Sequence, residues 1–270
     1  AETISELTTL CSSKYVQSRI PVDCYSQVKK VLSDGRWVYF SGMPCQVAAL
    51  KNYLGKEYER LITQDTACHS VPSPMVWKDY MLALEKQYDG KLTGFSFRDK
   101  ANGWEGYYIR AEFDNGRNFR QPAAENPYQR GFIKGLYSRS SCFSCRFKGF
   151  TRCSDITLAD YWGVKGIQPD AYNPQGTSLL LLHSEKGRAL LGSCKDKLQI
   201  ATAADDAFTY NPAVLSPLQK PARYSEFWAR YGRTAFDNLV SACCKPTKGE
   251  LAKEWWNRSL LARSIRRLKR

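Results

Sequence analysis

The amino-acid sequence predicts a mixed fold between the α/β and α+β classes. Two strand–loop–helix units follow each other in the first third of the chain, three strands separated by turn residues come next, and the chain after residue 202 is mostly helical. The 270 residues, 43% hydrophobic and 24% charged, suit one large globular domain or two small ones. We therefore expect short parallel strands, an antiparallel segment and a helical C-terminal region.

The first unit begins with a helical pattern in "PVDCYSQVKKVLSDG", with Asp23 before it and Gly35 after it. "WVYF" is a short apolar run typical of a buried strand, "SGMPC" interrupts it, and the helical pattern of "QVAALKNYLG" ends at Gly55. The second unit repeats this order with "RLITQDTAC", "HSVPSP" and "MVWKDYMLALEKQY", whose helix begins after Ser73 with Pro74 in its first turn. Two such units predict parallel strands joined by crossover helices.

The middle of the chain changes to strands without helices between them. "LTGFSFRDK", "YYIRAEF" and "RNFRQ" predict antiparallel strands, and Asp114-Asn115-Gly116 is a hairpin turn signal. A helix in "PYQRGFIKGLY", a cysteine-rich loop, strands in "DITLADYWG" and "TSLLLLHS" and a helix in "EKGRALLGSC" follow. "NPAVLSPLQKPA" interrupts the helical region beyond Ala203. We divide the chain into a domain of residues 1–202 and a mostly helical region of residues 203–270.

Ten cysteines and two histidines set the expected chemistry. The chain has no run near the roughly 20 apolar residues of a membrane-spanning helix, and "AETISELTTLC" lacks the pattern of a signal peptide. We expect a cytoplasmic protein, in which cysteines stay reduced and serve metal binding or redox chemistry rather than disulfides. An isolated cysteine such as Cys24 or Cys194 is expected to be a core residue.

The positive charge is concentrated at the C-terminal end. Of the formal charge of +14, the last twenty residues hold +6, so the rest of the chain has no charge excess typical of nucleic-acid binding. As a helix, "EWWNRSLLARSIRRLKR" would place Leu261, Ile265 and Leu268 opposite its arginines. This basic amphipathic pattern suits a peripheral contact with an anionic membrane or a partner. The alternative is a terminal helix packed on its own domain.

Four cysteines fall where a site is expected. Cys45 and Cys68 each follow a predicted parallel strand, and the carboxyl ends of such strands meet at the edge where open α/β sheets bind ligands. Cys45, directly after Pro44 at a helix start, is the better placed to be a thiolate. Cys142 and Cys145 form a Cys-x-x-Cys pair, which is found in redox pairs, zinc sites and iron–sulfur sites.

A four-coordinate metal site needs two ligands besides this pair, and histidine is nearly absent. Cys45 and Cys68 are the natural candidates because both follow strands at one sheet edge. Zinc or an iron–sulfur cluster would offset the negative charge of four thiolates. The basic residues expected to reduce this charge further are Arg139, Arg146, Lys148 and Arg152.

Five motifs in order resemble the beta subunits of coenzyme F-420 hydrogenases and dehydrogenases. They are "SKYVQS", "FSGMPCQVAALKNYL", "CHSVPSPMVWKDY", "FSFRDKANGW" and "SSCFSCRFKGFTRCSDITLADYWG", and with their flanks they span about Ser13 to Leu191. The resemblance implies that residues 1–202 form a flavin and iron–sulfur oxidoreductase domain. It implies electron transfer between a ferredoxin-type donor and a deazaflavin or other acceptor, through FAD and one [4Fe–4S] cluster.

The resemblance also assigns residues. The cluster ligands it implies are Cys45, Cys68, Cys142 and Cys145, while Cys153 stands where the family has no regular cysteine and is a fallback ligand. The residues expected to supply the FAD site are Ser13, Lys14, Tyr15, Gln17, Ser18, Gly42, Pro44, Gln46, Arg98 and Lys100. Arg98 and Lys100 would neutralise phosphate or a reduced flavin; the alternative for each is a solvated surface charge.

Some features depart from the family. Ser70 stands where glycine is usual after Cys-His, and Met43 stands where threonine is common before Pro-Cys. Full-length members often begin with a ferredoxin-like segment, and we expect this chain, which opens on alanine, to be the C-terminal part without it. The expected partner is such a segment or a separate redox protein. The alternative function is a binding or scaffold protein with a structural zinc site made of the same four cysteines and no redox activity.

Three further polar residues lie close to the motifs. His69 adjoins a proposed ligand and is expected to be structural, with a proton-relay role as the alternative. Asp155 and Asp160 flank a predicted strand after the cysteine loop, where capping is the expected role and orienting the loop or contacting flavin the alternative.

Overall fold

Two β-sheets organise the chain in this computed structural model, which describes residues 1, 3–247, 249 and 251. The predicted basic amphipathic helix, residues 254–270, lies outside the described residues. The strands are β1 (Val38–Ser41), β2 (Leu61–Thr66), β3 (Leu92–Asp99), β4 (Tyr108–Phe113), β5 (Asn118–Pro122), β6 (Ile156–Asp160) and β7 (Ser178–Leu182). The helices are α1 (Ile4–Leu10), α2 (Cys24–Ser33), α3 (Pro44–Leu54), α4 (Pro74–Tyr88), α5 (Pro127–Lys134), α6 (Val164–Ile167), α7 (Glu185–Cys194), α8 (Pro212–Leu215), α9 (Tyr224–Arg230) and α10 (Phe236–Cys244).

The first sheet has the strand order β1-β2-β6-β7. Strand β2 is parallel to both β1 and β6, with Val38 opposite Leu61 and Gln64 opposite Ile156. Strand β7 is antiparallel to β6 and closes the sheet on that side. The carboxyl ends of β1, β2 and β6 therefore lie at one edge, as the two predicted strand–loop–helix units require.

The second sheet is the predicted antiparallel segment, with the strand order β3-β4-β5. Gly116, in the turn between β4 and β5, has a φ of 79°. Glycine adopts this left-handed conformation without a steric penalty, so the predicted hairpin signal is confirmed. The mixed α/β to α+β fold class is confirmed by the two sheets together.

The helix boundaries follow local signals in most places. Helix α3 begins at Pro44 and is followed by Gly55, whose φ is 69°, as the sequence predicts. Helix α4 begins at Pro74 directly after Ser73. The interruption predicted in "NPAVLSPLQKPA" is only partly correct, because Pro212–Leu215 form a single helical turn. Helices this short, like α6, bury too few residues to leave a periodic pattern in the sequence.

An aromatic core joins the antiparallel sheet to the helices beside it. Its fully buried members include Val76, Leu136, Tyr137, Phe227, Leu239 and Val240, and Tyr80, Phe97, Tyr128 and Phe132 are nearly as buried. Helices α9 and α10, from the region after residue 202, thus pack into the same core as α4 and α5. The division at residue 202 stays a prediction.

The parallel sheet contains a buried polar network between β2 and β6. Oδ2 of Asp155 accepts hydrogen bonds from the Thr63 backbone N–H and hydroxyl, both 2.7 Å long, and Oδ1 accepts one from the Ser184 hydroxyl. Burial alone would raise the pKa of Asp155, but these hydrogen bonds outweigh it and lower the pKa. Gly187 fits beside this network because a Cβ there would lie 2.5 Å from the Asp155 carbonyl oxygen. Asp155 thus joins the strands rather than capping a helix.

Among the described residues, no helix is both long enough and apolar enough to cross a membrane.

Candidate functional site

A tight turn after β1 brings Cys45 to the carboxyl edge of the parallel sheet. The Met43 N–H donates to the Gln46 side-chain Oε1 over 2.8 Å, and buried Pro44 opens α3. A Cβ on Gly42 would lie 3.1 Å from the same Gln46 oxygen, so glycine leaves room for this turn. Cys45 is the second residue of the helix and is exposed.

The free thiol of Cys45 does not have the lowered pKa that its helix position predicts. Burial of the thiol and the neighbouring Cys145 and Cys142 raise its pKa. The backbone N–H groups of Cys45 and Gln46 act in the opposite direction, as expected at a helix start, but they contribute less. In the free protein, burial and the neighbouring thiols therefore outweigh the effect of the helix start on the pKa of Cys45.

Cys68 follows β2 at the same edge. Burial raises the pKa of its thiol to about 12, against the effect of the Lys148 ammonium. The other three predicted ligands, Cys142, Cys45 and Cys145, raise it further. All four predicted ligands are therefore near enough to interact electrostatically, although they come from three separate parts of the sequence.

Backbone contacts fix the Cys-x-x-Cys segment beside the loop that follows β2. The segment forms a 3-10 turn over Ser140–Ser144. The Arg139 N–H donates to the Val71 carbonyl over 2.8 Å, and the Cys142 N–H donates to the Arg139 carbonyl over 2.9 Å. This pairing brings Cys142 and Cys145 to the strand that ends before Cys68.

Ser70, which stands where the family usually has glycine, lies where the loop after β2 pairs with the segment that precedes Cys142. Ser70 is buried, and its hydroxyl lies 2.7 Å from the hydroxyl of Ser138, which is also buried. Pro72 and Ser138 form an isolated antiparallel bridge between the two segments. A side-chain hydrogen bond at Ser70 therefore accompanies the backbone pairing that brings the cysteines together.

The described residues contain no group of three or more His, Cys, Asp or Glu side chains arranged to hold one metal ion. A zinc ion needs four ligand atoms about 2.0–2.3 Å from one point. Electrostatic interactions among Cys45, Cys68, Cys142 and Cys145 nevertheless show that these thiols share one region.

Lys148 is the cation of this site. Its Nζ donates to the Cys68 carbonyl and, over 2.8 Å, to the Ala213 carbonyl. Burial lowers the pKa of Lys148, while Cys68, Cys145 and Cys142 raise it. Of the basic residues predicted to offset the charge of the thiolates, Lys148 therefore interacts with three of the four cysteines.

The other basic residues of this segment have different contacts. Arg139 donates to the side chain of Gln17 over 2.9 Å. Arg152 donates to the carbonyls of Phe147, Gly149 and Val214, so it stabilises the loop that precedes β6. Arg146 and the fallback ligand Cys153 are exposed.

Three side-chain hydrogen bonds attach the segment 13–18 to the site. Gln46, next to Cys45, donates to the Ser18 hydroxyl over 2.9 Å. Arg139, three residues before Cys142, donates to Gln17. Arg98 lies 3.4 Å from the Ser13 hydroxyl. The segment therefore lies between the cysteines and Arg98.

Arg98 is buried, with 7% of its surface exposed. Its guanidinium pairs with Asp160 at 2.8 Å and lies over the rings of Tyr107 and Trp162, 5.0 and 5.5 Å from their centroids. Its Nε and Nη2 atoms have no hydrogen-bond partner among the described residues. Since buried donors are normally satisfied, these two atoms are available to donate to an acceptor on a bound group.

Aromatic rings connect the Arg98 side to the Cys68 side. Tyr15 stacks on Phe132, with ring centroids 5.0 Å apart, and His69 packs edge-on against the same ring at 5.1 Å. Burial raises the pKa of Tyr15 to about 12, although Arg98 lowers it. The ring of Phe132 therefore lies between Tyr15 and His69, the residue after Cys68.

The model of the family described as the C terminus of the coenzyme F420 hydrogenase/dehydrogenase beta subunit matches residues 35–207. The chain belongs to this family. The match includes all four cysteines of the site, whereas the segment 13–18 precedes it. No curated protein matches the chain.

A solved structure is also similar to this chain, that of the xenon-derivatised F420-reducing [NiFe] hydrogenase complex from Methanosarcina barkeri. The similarity covers 96% of this chain and 73% of the other, at 13% identity and a TM-score of 0.45. Membership of the F420 hydrogenase/dehydrogenase beta-subunit family gives the chain an oxidoreductase context.

Two lysines predicted for the flavin site of this family member make other contacts. Lys14 donates to the Cys11 carbonyl over 2.6 Å and is exposed. Lys100 donates to the Gln175 carbonyl over 3.2 Å, in the loop before β7. His69 is structural in its contacts, since its Nε2 lies 3.3 Å from the Phe132 carbonyl and burial lowers its pKa.

The sequence did not identify Tyr107, Trp162 and Phe132 as site residues. Tyr107 precedes β4, Trp162 follows β6, and Phe132 lies on α5, so their proximity depends on how the two sheets pack. Asp160 was expected to be a cap, and the structure instead pairs it with Arg98. A lone aspartate at a strand end gives no local signal of such a partner.

Proposed function

We propose that this chain is an electron-transferring oxidoreductase that holds one [4Fe–4S] cluster on Cys45, Cys68, Cys142 and Cys145, with FAD beside it. One observation carries the proposal. Four thiols from three distant segments interact with one another at the carboxyl edge of a parallel sheet, next to the half-buried ammonium of Lys148. The family supplies the oxidoreductase context.

The donor set suits an iron–sulfur cluster. Four cysteine thiolates are its usual protein ligands. Each iron of a cubane takes one thiolate, so such a cluster needs four separate cysteines, whereas zinc requires all four sulfurs about 2.3 Å from one ion. Lys148 offsets part of the negative charge, and its bonds to the Cys68 and Ala213 carbonyls hold it there.

The surroundings of Arg98 suit the flavin. The two unpartnered guanidinium atoms of Arg98 can donate to a phosphate or to a ring oxygen of FAD. Tyr15, Tyr107 and Trp162 offer aromatic faces close to it. The contacts of Ser13, Gln17 and Ser18 place this region next to the cysteines.

The bound groups would supply one-electron chemistry at the cluster and two-electron chemistry at the flavin. The chain's own contacts would orient them: the Cys-x-x-Cys turn is attached to the loop after β2. The segment 13–18 is attached to that turn through Arg139 and to the turn after β1 through Gln46. We propose a ferredoxin-type segment or protein as the electron donor and a deazaflavin or another small molecule as the acceptor.

Anaerobic reconstitution tests the cluster. The purified chain is incubated with iron, sulfide and FAD, and bound iron, acid-labile sulfide and zinc are then counted. We expect about four iron and four sulfide per chain, their loss in Cys45→Ser, Cys68→Ser, Cys142→Ser and Cys145→Ser, and retention in the matched control Cys153→Ser. A colourless protein with one zinc per chain would support the scaffold function instead.

A separate binding measurement tests the flavin site. FAD affinity is measured by quenching of flavin fluorescence in the unaltered chain and in Arg98→Gln. We expect Arg98→Gln to weaken binding by about tenfold, the effect of losing a charged hydrogen bond. The control Arg188→Gln removes an exposed arginine whose partner is Glu185 on α7. Equal affinity in all three proteins would exclude Arg98 from the flavin site.

A further inference from the structure

A cleft of about 750 Å³ opens beside Tyr107, between β4, the end of β5 and α5. Its volume is within the range of roughly 300–1,000 Å³ that small-molecule sites occupy. None of the residues predicted for the cluster or for FAD lines this cleft. Tyr107 nevertheless links it to Arg98, because the Arg98 guanidinium lies over the Tyr107 ring.

The walls of the cleft suit a flat, largely apolar molecule. Tyr107 and Tyr108 bring aromatic rings, and Pro122, Ala123 and Ile133 bring aliphatic surface. Clefts of this composition bind heterocycles by stacking and apolar contact, with a few polar groups that fix the orientation.

The side chain of Gln129 is only partly satisfied in its hydrogen bonds. The residue is 2% exposed and lines the cleft. Its Nε2 donates to the Tyr107 hydroxyl over 3.1 Å, but its Oε1 has no hydrogen-bond partner among the described residues. A buried amide oxygen without a donor is costly, so an N–H group on a bound molecule would stabilise this arrangement.

Positive charge also faces this space. Arg130 and Lys134 lie one helical turn apart on α5, and both line the cleft. Burial raises the pKa of the Cys244 thiol, which lines the cleft too, while Arg130 and Lys134 lower it, so both charges act there. Glu105 brings an opposing carboxylate, and the Tyr172 hydroxyl lies 3.5 Å from it. Two positive side chains against one carboxylate favour a phosphate or carboxylate group on the ligand.

We propose that this cleft binds a phosphorylated heterocycle of mononucleotide size, with its phosphate at Arg130 and Lys134 and an N–H edge at Gln129 Oε1. The site needs neither the cluster nor FAD in place, so it goes beyond the function proposed above. A flavin mononucleotide or a nicotinamide mononucleotide has the required chemistry.

Flavin mononucleotide and riboflavin are the probes, because they differ only in the phosphate. Their affinities for the full chain without added cofactors are measured by fluorescence quenching. We expect the mononucleotide to bind about tenfold more tightly than riboflavin, and Arg130→Gln to remove most of that difference. Ala124→Trp, which fills the cleft from an exposed wall position, should abolish binding of both probes.

Controls separate this site from the proposed flavin site. Arg188→Gln should leave the affinity for the mononucleotide within about twofold of the original, and added nicotinamide mononucleotide should compete. Equal affinity of the two probes, full binding in Ala124→Trp, or a loss in Arg98→Gln but not in Arg130→Gln would overturn the proposal. Loss of iron binding in the cysteine variants bears only on the cluster, so the two proposals can fail independently.

Discussion

The side chains buried at the two sheets differ in polarity. The antiparallel sheet packs on an aromatic core whose buried rings are Tyr80, Phe97, Tyr128, Phe132, Tyr137 and Phe227. Between the parallel strands β2 and β6, the buried side chains are largely polar, namely Thr63, Asp65, Asp155 and Thr157. One region gains its stability from apolar burial, and the other satisfies polar groups with one another.

This difference explains where the candidate site lies. Hydrogen bonds are directional, so the network between β2 and β6 fixes the relative position of two strands whose carboxyl ends border the site. Aromatic packing is less specific in direction but contributes a larger free energy. The aromatic region therefore supports the fold, while the polar region sets the geometry of the cysteines.

The largest expected effect is on the aromatic core. Phe227 is fully buried, so Phe227→Ala should lower the free energy of unfolding by about 3–5 kcal/mol. The matched control is Phe150→Ala, because Phe150 is 53% exposed, and its cost should stay below about 1 kcal/mol. Urea unfolding of both variants measures the difference. Similar costs at the two positions would show that this core is not the main source of stability.

A smaller effect is expected in the polar network. Asp155→Asn replaces an acceptor of the Thr63 donors by an amide, which should cost about 2–3 kcal/mol. The folded-state pKa of Asp155 is lowered, so its contribution is complete above the unfolded pKa of about 4 and is lost as the pH falls through the folded value.

Urea unfolding across pH tests this prediction. The difference between the original chain and Asp155→Asn should stay constant from pH 8 to about pH 5 and shrink below about pH 4. Asp205→Asn, at an exposed position, is the control and should show no such difference. A gap that grows as the pH falls would contradict the role given to Asp155.

A change at Lys148 should affect the site more than the stability. In the reconstituted protein, Lys148→Met removes a positive charge beside the cysteines and should lower the reduction potential by roughly 50 mV, about 1 kcal/mol for one electron. Lys148→Arg keeps the charge and should stay near the original potential. An EPR-monitored redox titration makes the measurement, and equal potentials in all three proteins would contradict the electrostatic role of Lys148.

The smallest expected effect concerns the link between the cysteines and the segment 13–18. Gln46→Ala removes the hydrogen bonds to Ser18 and to the Met43 N–H. FAD affinity should fall by about three- to tenfold, since one or two exposed hydrogen bonds are lost. Fluorescence titration measures this, with Gln27→Ala, an exposed residue of α2, as the control. Unchanged FAD affinity in Gln46→Ala would show that this hydrogen bond does not link the cysteines to the flavin site.

Local signals in the sequence were sufficient for much of the fold. Proline at the starts of α3 and α4, glycine after α3 and the Asp114-Asn115-Gly116 turn act within a few residues, so they can be recognised without a structure. The common edge of Cys45 and Cys68 follows from the geometry of parallel strands.

Contacts between residues far apart in the sequence could not be predicted from such local signals. Arg98 and Asp160 are 62 residues apart, and neither has a neighbour that indicates the other. The pKa of Cys45 is raised by burial and by thiols roughly 100 positions away, and the local helix-start argument includes neither. Tyr107 became a site residue only through the packing of one sheet beside the other.

The most direct test compares the EPR spectra of Cys68→Ser and Cys153→Ser after anaerobic reconstitution and reduction. Cys68 is half-buried and interacts with the other three cysteines and with Lys148, whereas Cys153 is exposed. Our account predicts an iron–sulfur signal in the original chain and in Cys153→Ser, and its loss in Cys68→Ser. An undiminished signal in Cys68→Ser, or a signal lost only in Cys153→Ser, would contradict it.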